Sequence, residues 1–184
     1  MTVEVQLYAL CDQSTLDKKA ISLEEFVSLC QKHDAQIIQY RNKSQDIGFI
    51  TRQLAALRIL WSKTLIINDT FLLHPFCDGV HLGQDDLYKV DADLHSAVDK
   101  IRSIIGKEKM IGLSTHNKEE IETANLLDLD YIGLGAYRAT GTKEDAAPLQ
   151  EKLDELAQLS RHPVAAIGGV RFDDKFEHVA YRVI

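Results

Sequence analysis

The chain has 184 residues, of which 45% are hydrophobic and 27% charged, and its formal net charge is −7. This length and composition are typical of one globular domain with a substantial core, so we interpret residues 1–184 as a single domain. The acidic balance argues against a general nucleic-acid or membrane-surface binder. No apolar run has transmembrane length, no signal peptide is recognisable and the three cysteines lack metal-binding spacing. We therefore expect a cytoplasmic protein with reduced thiols and no membrane span.

Short apolar runs recur along the chain and predict eight β-strands, at residues 5–10, 35–40, 64–68, 79–83, 110–114, 131–135, 163–168 and 180–184. Most of these runs are continuous rather than alternating. Continuous runs are typical of strands that are buried on both faces of a parallel sheet.

Helical patterns lie between the predicted strands, at residues 22–33, 46–60, 93–105 and 117–126, near Pro148, and more weakly at 173–178. Ser22 and Glu25 have the spacing of a capping box, and Gly106 is placed as a C-cap. Alternating strands and helices predict a (β/α)8 barrel of parallel strands. A doubly wound open sheet is the alternative, but its usual glycine-rich turn does not follow the first strand. Because the sequence ends with the predicted eighth strand, we expect the final helix of the barrel to be short or missing.

The segment 65–86 contains two predicted strands that are each followed by acidic residues. Asp69 follows the first of these strands, and Asp85 and Asp86 follow the second. Carboxylates delivered from the same end of two parallel strands are suitable ligands for Mg²⁺. The alternative interpretation is that these aspartates cap the helices that follow.

In a barrel of this kind, catalytic and binding residues gather at the carboxyl ends of the strands. The predicted strand ends carry cations, amides, carboxylates and glycines, whereas strand starts such as Thr64, Met110 and Pro163 are not charged. Lys and Arg neutralise phosphate oxygens, and glycine lets backbone N–H groups approach an anion. This end of the barrel is therefore predicted to bind a phosphorylated ligand. We interpret His81 as a core histidine, while His116 either contacts substrate or caps the next helix.

Seven motifs resemble thiamine phosphate synthase and the related thiazole tautomerases: LYALCD, IIQYRNK, LIINDT, DGVHLGQDD, IGLSTH, DYIGLGAYRATGTK and PVAAIGG. They occur in the family's order and cover nearly the whole chain. The resemblance implies a barrel that joins 4-amino-5-hydroxymethyl-2-methylpyrimidine pyrophosphate to a thiazole phosphate, with Mg²⁺ as cofactor. The implied partners are these two small phosphorylated substrates, with no nucleic acid and no membrane, and a homo-oligomer is left open.

The same resemblance implies a role for individual residues. The implied metal ligands are Asp69 and Asp86. The implied pyrimidine and pyrophosphate contacts are Gln39, Arg41, Lys43, Asn68, Ser114 and Lys143, of which Arg41, Lys43, Ser114 and Lys143 are the candidate catalytic residues. The implied thiazole-phosphate contacts are Thr140, Thr142 and Gly169.

The chain departs from the family pattern at three positions. Thr70 stands where the family usually has Arg, and Ala136 and Arg138 replace Pro and Phe of the family loop. Two alternatives remain open on these grounds: a metal-independent tautomerase acting on the thiazole phosphate, and a non-catalytic binder of a phosphorylated thiamine precursor.

Overall fold

The computed structural model describes residues 4–44, 46–139 and 148–184. It contains eight strands: β1 Gln6–Asp12, β2 Ile37–Arg41, β3 Thr64–Asn68, β4 Gly79–Leu82, β5 Met110–Thr115, β6 Tyr131–Leu134, β7 Val164–Ala166 and β8 Tyr181–Val183. Each strand pairs in parallel with the next, and β8 pairs with β1, so the sheet closes into a barrel. The predicted (β/α)8 barrel is confirmed.

The described helices surround this barrel: α1 Gln13–Lys19, α2 Leu23–Lys32, α3 Ile47–Leu60, α4 Gln84–Val90, α5 Leu94–Ile105, α6 Lys118–Ala124 and α7 Lys152–Ala157, with a 3-10 helix at Phe71–Phe76. The predicted capping box of α2 is present, because Ser22 accepts from the N–H of Glu25 and Glu25 accepts from that of Ser22. Gly106 ends α5, as its position predicted. No described helix has the length and apolar character needed to cross a bilayer.

The helix predicted at residues 173–178 is wrong, because no helix forms between β7 and β8 in residues 167–180, all of which are described. Carboxylates bind the backbone here in place of a helical turn. Asp154 accepts from the N–H groups of Glu177 and His178, and Asp174 accepts from the N–H of Arg171. Asp174 competes with helix formation by binding a local backbone donor, and Asp154 does so from α7.

The apolar residues form two layers of core, one on each face of the barrel wall. The outer layer packs strands against helices and includes Ile38, Leu54 and Trp61. The layer inside the barrel is smaller and includes Tyr8, Ile66 and Tyr131. Burial on both faces explains why the strands are continuous apolar runs.

The ring of Tyr131 fills the barrel interior because the neighbouring residue of β5 is Gly112. A Cβ on Gly112 would lie 2.1 Å from Cζ of Tyr131, so the two cannot occupy this space together. We expect Gly112→Ala to lower the free energy of unfolding by about 1–3 kcal/mol through overpacking. Urea denaturation measures this loss. In the control Gly48→Ala, the nearest atoms are 3.4 Å away, and unchanged or raised stability is expected. Equal stability of the two variants would contradict this account.

Candidate functional site

Two carboxyl groups meet at the carboxyl ends of β3 and β4. Asp69 directly follows β3, its φ is +63°, and its N–H donates to the carbonyl oxygen of His81 in β4 at 2.8 Å. This turn directs Asp69 towards Asp86 in the first turn of α4. Partial desolvation and the charge of Asp86 raise the pKa of Asp69 to about 6 from its ordinary 3.8.

Asp86 is the anchored member of this pair. Its carboxylate accepts from Nζ of Lys89 at 2.7 Å and from the N–H of Gly83 at 3.2 Å. Burial alone would raise the pKa of Asp86, but these hydrogen bonds outweigh it and lower the pKa. Asp86 therefore also caps α4, as the alternative interpretation of the acidic residues holds.

Asp69 has no such structural role among the described residues. Its carboxylate accepts no hydrogen bond from a described N–H group, and the 3-10 helix that follows it begins without a side-chain cap. Two hard oxygen donors that repel each other and sit at a partly exposed position fit a divalent cation such as Mg²⁺.

Arg41 lies beside this carboxylate pair, at the end of β2. Its Nη1 donates to Oδ2 of Asp12 at 2.6 Å, and both side chains are mostly buried. The charge of Arg41 also acts to lower the pKa of Asp69, although burial and Asp86 outweigh it. Lys43 lies two residues further along the chain and is exposed, and it forms no ion pair with a described residue. Arg41 therefore places a cationic group beside the two acids at the mouth of the barrel.

A network of hydrogen-bonded polar side chains lies inside the barrel below these groups. Gln39 is 4% exposed, accepts from the hydroxyl of Tyr8 at 2.6 Å and donates to Oδ1 of Asn68 at 2.7 Å. These two bonds fix the orientation of the Gln39 amide. The structure thus brings Gln39 and Asn68 into contact, on neighbouring strands.

The same hydrogen-bonded network continues to the other side of the barrel. The hydroxyls of Tyr8 and Tyr131 lie 2.9 Å apart, and Tyr131 contacts Nδ1 of His81 at 2.9 Å. Nε2 of His81 lies 3.0 Å from Oγ of Ser114. Desolvation raises the pKa of both tyrosines, so their hydroxyls remain protonated.

Sequence reasoning missed the part played by Tyr8 and Tyr131 in this site. The available signal was the register of neighbouring strands, which places Tyr131 beside Gly112.

His81 is buried and hydrogen-bonded, as expected for a core histidine. His116 interacts with Glu120 of α6 through both its backbone N–H and its Nδ1.

A glycine turn follows β7 and forms another part of the rim. Gly168 has φ +88° and Gly169 has φ +69°, which are left-handed conformations that glycine adopts readily. The N–H groups of Gly168, Gly169 and Val170 have no hydrogen-bond acceptor among the described residues. Consecutive N–H groups in such a turn form an anion-binding concavity.

Arg138, from the segment after β6, contacts this turn. Its guanidinium makes two hydrogen bonds of 2.6 Å to the carboxylate of Asp174 and one of 2.7 Å to the carbonyl oxygen of Gly169. The predicted site residues Thr140, Thr142 and Lys143 lie outside the described residues.

Charged residues at the opposite end of the barrel have a different arrangement. Arg58 pairs with Asp78, which also accepts from the N–H of Leu65 at the start of β3. Arg102 pairs with Asp130, which accepts from the N–H of Ile111 in β5. These ion pairs hold strand starts in place. Asp69 and Lys43 at the mouth form no such pair with a described residue.

Comparison with known proteins gives consistent results. Residues 7–182 match the family model described as thiamine monophosphate synthase. A thiamine-phosphate synthase of Persephonella marina is 37% identical over 176 residues, which cover 91% of this chain and 78% of the relative. A thiamine-phosphate synthase of Lawsonia intracellularis is 34% identical over 177 residues, which cover 92% of this chain and 76% of the relative.

Two solved structures share the fold at lower sequence identity. A thiamine phosphate pyrophosphorylase from Pyrococcus furiosus has a TM-score of 0.76 at 23% identity, covering 100% of this chain and 86% of that one. An N-acetylmannosamine-6-phosphate 2-epimerase from Clostridium perfringens has a TM-score of 0.66 at 14% identity, covering 100% of this chain and 87% of that one.

Proposed function

Because the chain belongs to the thiamine monophosphate synthase family, we propose that it is the transferase that makes thiamine phosphate. It joins 4-amino-5-hydroxymethyl-2-methylpyrimidine pyrophosphate to a thiazole phosphate and releases pyrophosphate. The observation that carries this proposal is the pair of facing acids, Asp69 and Asp86, with Arg41 beside them. An isomerase of the thiazole phosphate has no pyrophosphate to neutralise and therefore no use for this group of charges.

Asp69 and Asp86 are the residues that would hold Mg²⁺. The bound cation would supply positive charge to the departing pyrophosphate. Arg41 supplies a second positive charge from β2, and its ion pair with Asp12 holds the guanidinium in position. Lys43 and, from sequence alone, Lys143 are proposed as further pyrophosphate contacts.

Ser114 is a proposed pyrophosphate contact whose hydroxyl is oriented by His81. The distance of 3.0 Å between Oγ and Nε2 allows the imidazole to accept the Ser114 proton or to donate its own. The tautomer of His81 therefore determines whether the hydroxyl donates to or accepts from the substrate.

Gln39 and Asn68 are proposed to bind the pyrimidine. Gln39 donates to Asn68 and accepts from Tyr8, so its amide is oriented before substrate arrives. Such preorganisation reduces the entropy lost on binding. No general base is required, since the thiazole nitrogen is already a nucleophile.

The thiazole phosphate is assigned to the glycine turn after β7. The N–H of Gly169 lies next to those of Gly168 and Val170 in the turn, and three such donors without an acceptor among the described residues favour an anionic ligand. Thr140 and Thr142 are proposed as further contacts to the same phosphate on the basis of sequence.

We also propose that the reaction takes place in the cytoplasm. Cys11, Cys30 and Cys77 are free and buried thiols, which is compatible with a reducing compartment.

An assay with both substrates and Mg²⁺ tests the proposed activity. We expect thiamine phosphate and pyrophosphate to form in equal amounts, and EDTA to stop their formation. Absence of thiamine phosphate at any enzyme concentration would overturn the proposal. Metal-independent isomerisation of a carboxythiazole phosphate would favour a tautomerase, and tight binding of the thiazole phosphate without turnover would favour a binding protein.

A further inference from the structure

The glycine turn is held in place from its carbonyl side by a single residue. The backbone N–H of Arg138 donates to the carbonyl oxygen of Gly168 at 2.8 Å. Nη1 of the same arginine donates to the carbonyl oxygen of Gly169 at 2.7 Å. Both carbonyl groups of the turn therefore face Arg138.

These two bonds also determine where the N–H groups of the turn point. In a trans peptide unit the C=O and the following N–H point in opposite directions. The bond to Gly168 thus directs the N–H of Gly169 away from Arg138, and the bond to Gly169 does the same for the N–H of Val170. These N–H groups have no acceptor among the described residues, so they remain available to an anion.

The guanidinium of Arg138 is itself held on two sides. Asp174 binds both of its terminal nitrogens at 2.6 Å, and the ring of Tyr137 lies 4.5 Å below Cζ. Asp174 is fixed in turn, because it accepts from the N–H of Arg171 and its carbonyl oxygen accepts from Nη2 of Arg182. The side chain of Asp174 is 9% exposed and that of Arg138 is 34% exposed, so the carboxylate is the shielded partner of the pair.

Because Asp174 neutralises Arg138, the arginine contributes orientation rather than net charge to the turn. One guanidinium nitrogen serves both Gly169 and Asp174, while the second serves Asp174 alone. A lysine at this position keeps the positive charge but has one nitrogen in place of this planar fork.

Resting on the function proposed above, we propose that Arg138 is a positioning residue for the phosphate of the thiazole substrate. Its side chain holds the carbonyl of Gly169 so that the N–H of Val170 points to the phosphate. The residue that departs from the family pattern thereby supports the phosphate site without touching the phosphate.

The test compares Arg138→Ala, Arg138→Lys and the control Arg161→Ala. Among the described residues, the side chain of Arg161 makes no hydrogen bond or ion pair, and the residue is exposed. Steady-state kinetics give KM for each substrate, and calorimetry gives Kd for the thiazole phosphate and for inorganic phosphate. The unphosphorylated thiazole alcohol, used as an alternative acceptor, shows whether the effect depends on the phosphate.

For both Arg138 variants we expect KM and Kd for the thiazole phosphate to rise about 10-fold, as for the loss of one charge-assisted hydrogen bond. KM for the pyrimidine pyrophosphate and the kinetics with the alcohol should change less than about twofold by the same reasoning. Arg161→Ala should match the wild type. An unchanged Kd for the thiazole phosphate would overturn the proposal. An equal loss of activity with the alcohol, together with a lowered Tm, would overturn it as well.

If Arg138→Ala does not fold, Asp174→Asn carries the test. Asparagine keeps an oxygen for the N–H of Arg171 but loses the paired contact to Arg138, so a smaller rise in the same Kd is expected. No rise would overturn the proposal. A wild-type protein that binds the thiazole phosphate but forms no product would refute the proposed function alone. A wild type that binds neither phosphate probe would refute both.

Discussion

Asp69→Asn is expected to lower kcat for thiamine phosphate formation by about 100-fold or more, since charge stabilisation by a metal is worth several kcal/mol. The substitution removes one of two facing carboxylates, and the remaining Asp86 is already bound by Lys89 and Gly83. Mg²⁺ titration of the residual activity should show weaker or absent dependence on the metal.

Asp85→Asn is the matched control for this variant. Asp85 neighbours Asp86 in α4, has the same charge and is exposed to solvent. We expect its activity and Mg²⁺ titration to match the wild type. A normal Mg²⁺ titration in Asp69→Asn would contradict the assignment of Asp69 as a ligand.

In the absence of metal, Asp69→Asn is expected to be more stable than the wild type, although it is less active. The pKa of Asp69 rises to about 6 in the folded state from an ordinary 3.8, so the folded state binds its proton more tightly. Wild-type stability is therefore lost as pH rises between these two values, relative to Asp69→Asn. Urea denaturation in EDTA at several pH values measures the difference. A constant difference between the two proteins across this range would contradict the raised pKa.

Arg41→Ala is expected to give the second large loss of activity, about 100-fold in kcat/KM, because the substitution removes a mostly buried cation that we propose binds the leaving pyrophosphate. The residue supplies positive charge next to Asp69. The measurement is the rate of pyrophosphate release at saturating Mg²⁺.

Asp12→Asn separates the charge of Arg41 from its structural contact. Both variants break the same 2.6 Å ion pair, so each should lower the free energy of unfolding by about 1–3 kcal/mol. Asparagine still caps α1, where Asp12 accepts from the N–H of Thr15. Only Arg41→Ala removes the cation, so activity should fall much further in that variant. Equal losses of activity in the two variants would contradict the proposed role of the Arg41 charge, because both losses would then come from the broken ion pair.

Much of the fold could be predicted because its strands are buried on both faces. Continuous apolar runs located all eight strands, capping residues located α2 and α6, and apolar stripes located α3 and α5. Two short helices, α1 and α4, were missed because each begins directly at the end of a strand and has few apolar residues. The predicted helix at residues 173–178 was wrong because Asp154 of α7 binds the backbone N–H groups of Glu177 and His178 across the fold. Such long-range contacts have no periodic signal in the sequence.

The site was predictable where a strand ends in charged residues. Asp69, Asp86 and Arg41 could be placed at one rim, because parallel strands all end on the same side of the barrel. The links from Tyr8 to Gln39 and from Tyr131 to His81 depend on which residues face inward, and continuous apolar strands do not reveal this. The role of Arg138 depends on Asp174, 36 positions further along the chain.

The connection between β7 and β8 has a consequence for how this protein tolerates change. Arg182 in β8 donates to the carbonyl oxygens of Phe172 and Asp174. The connection at residues 167–180 therefore both holds β8, which closes the barrel, and supports the glycine turn. In barrels where a helix fills this connection, the seam and the ligand loop are separate parts. Here substitutions that weaken the packing of β8 are expected to alter binding at the glycine turn as well, so this segment has little freedom to diverge for either task alone.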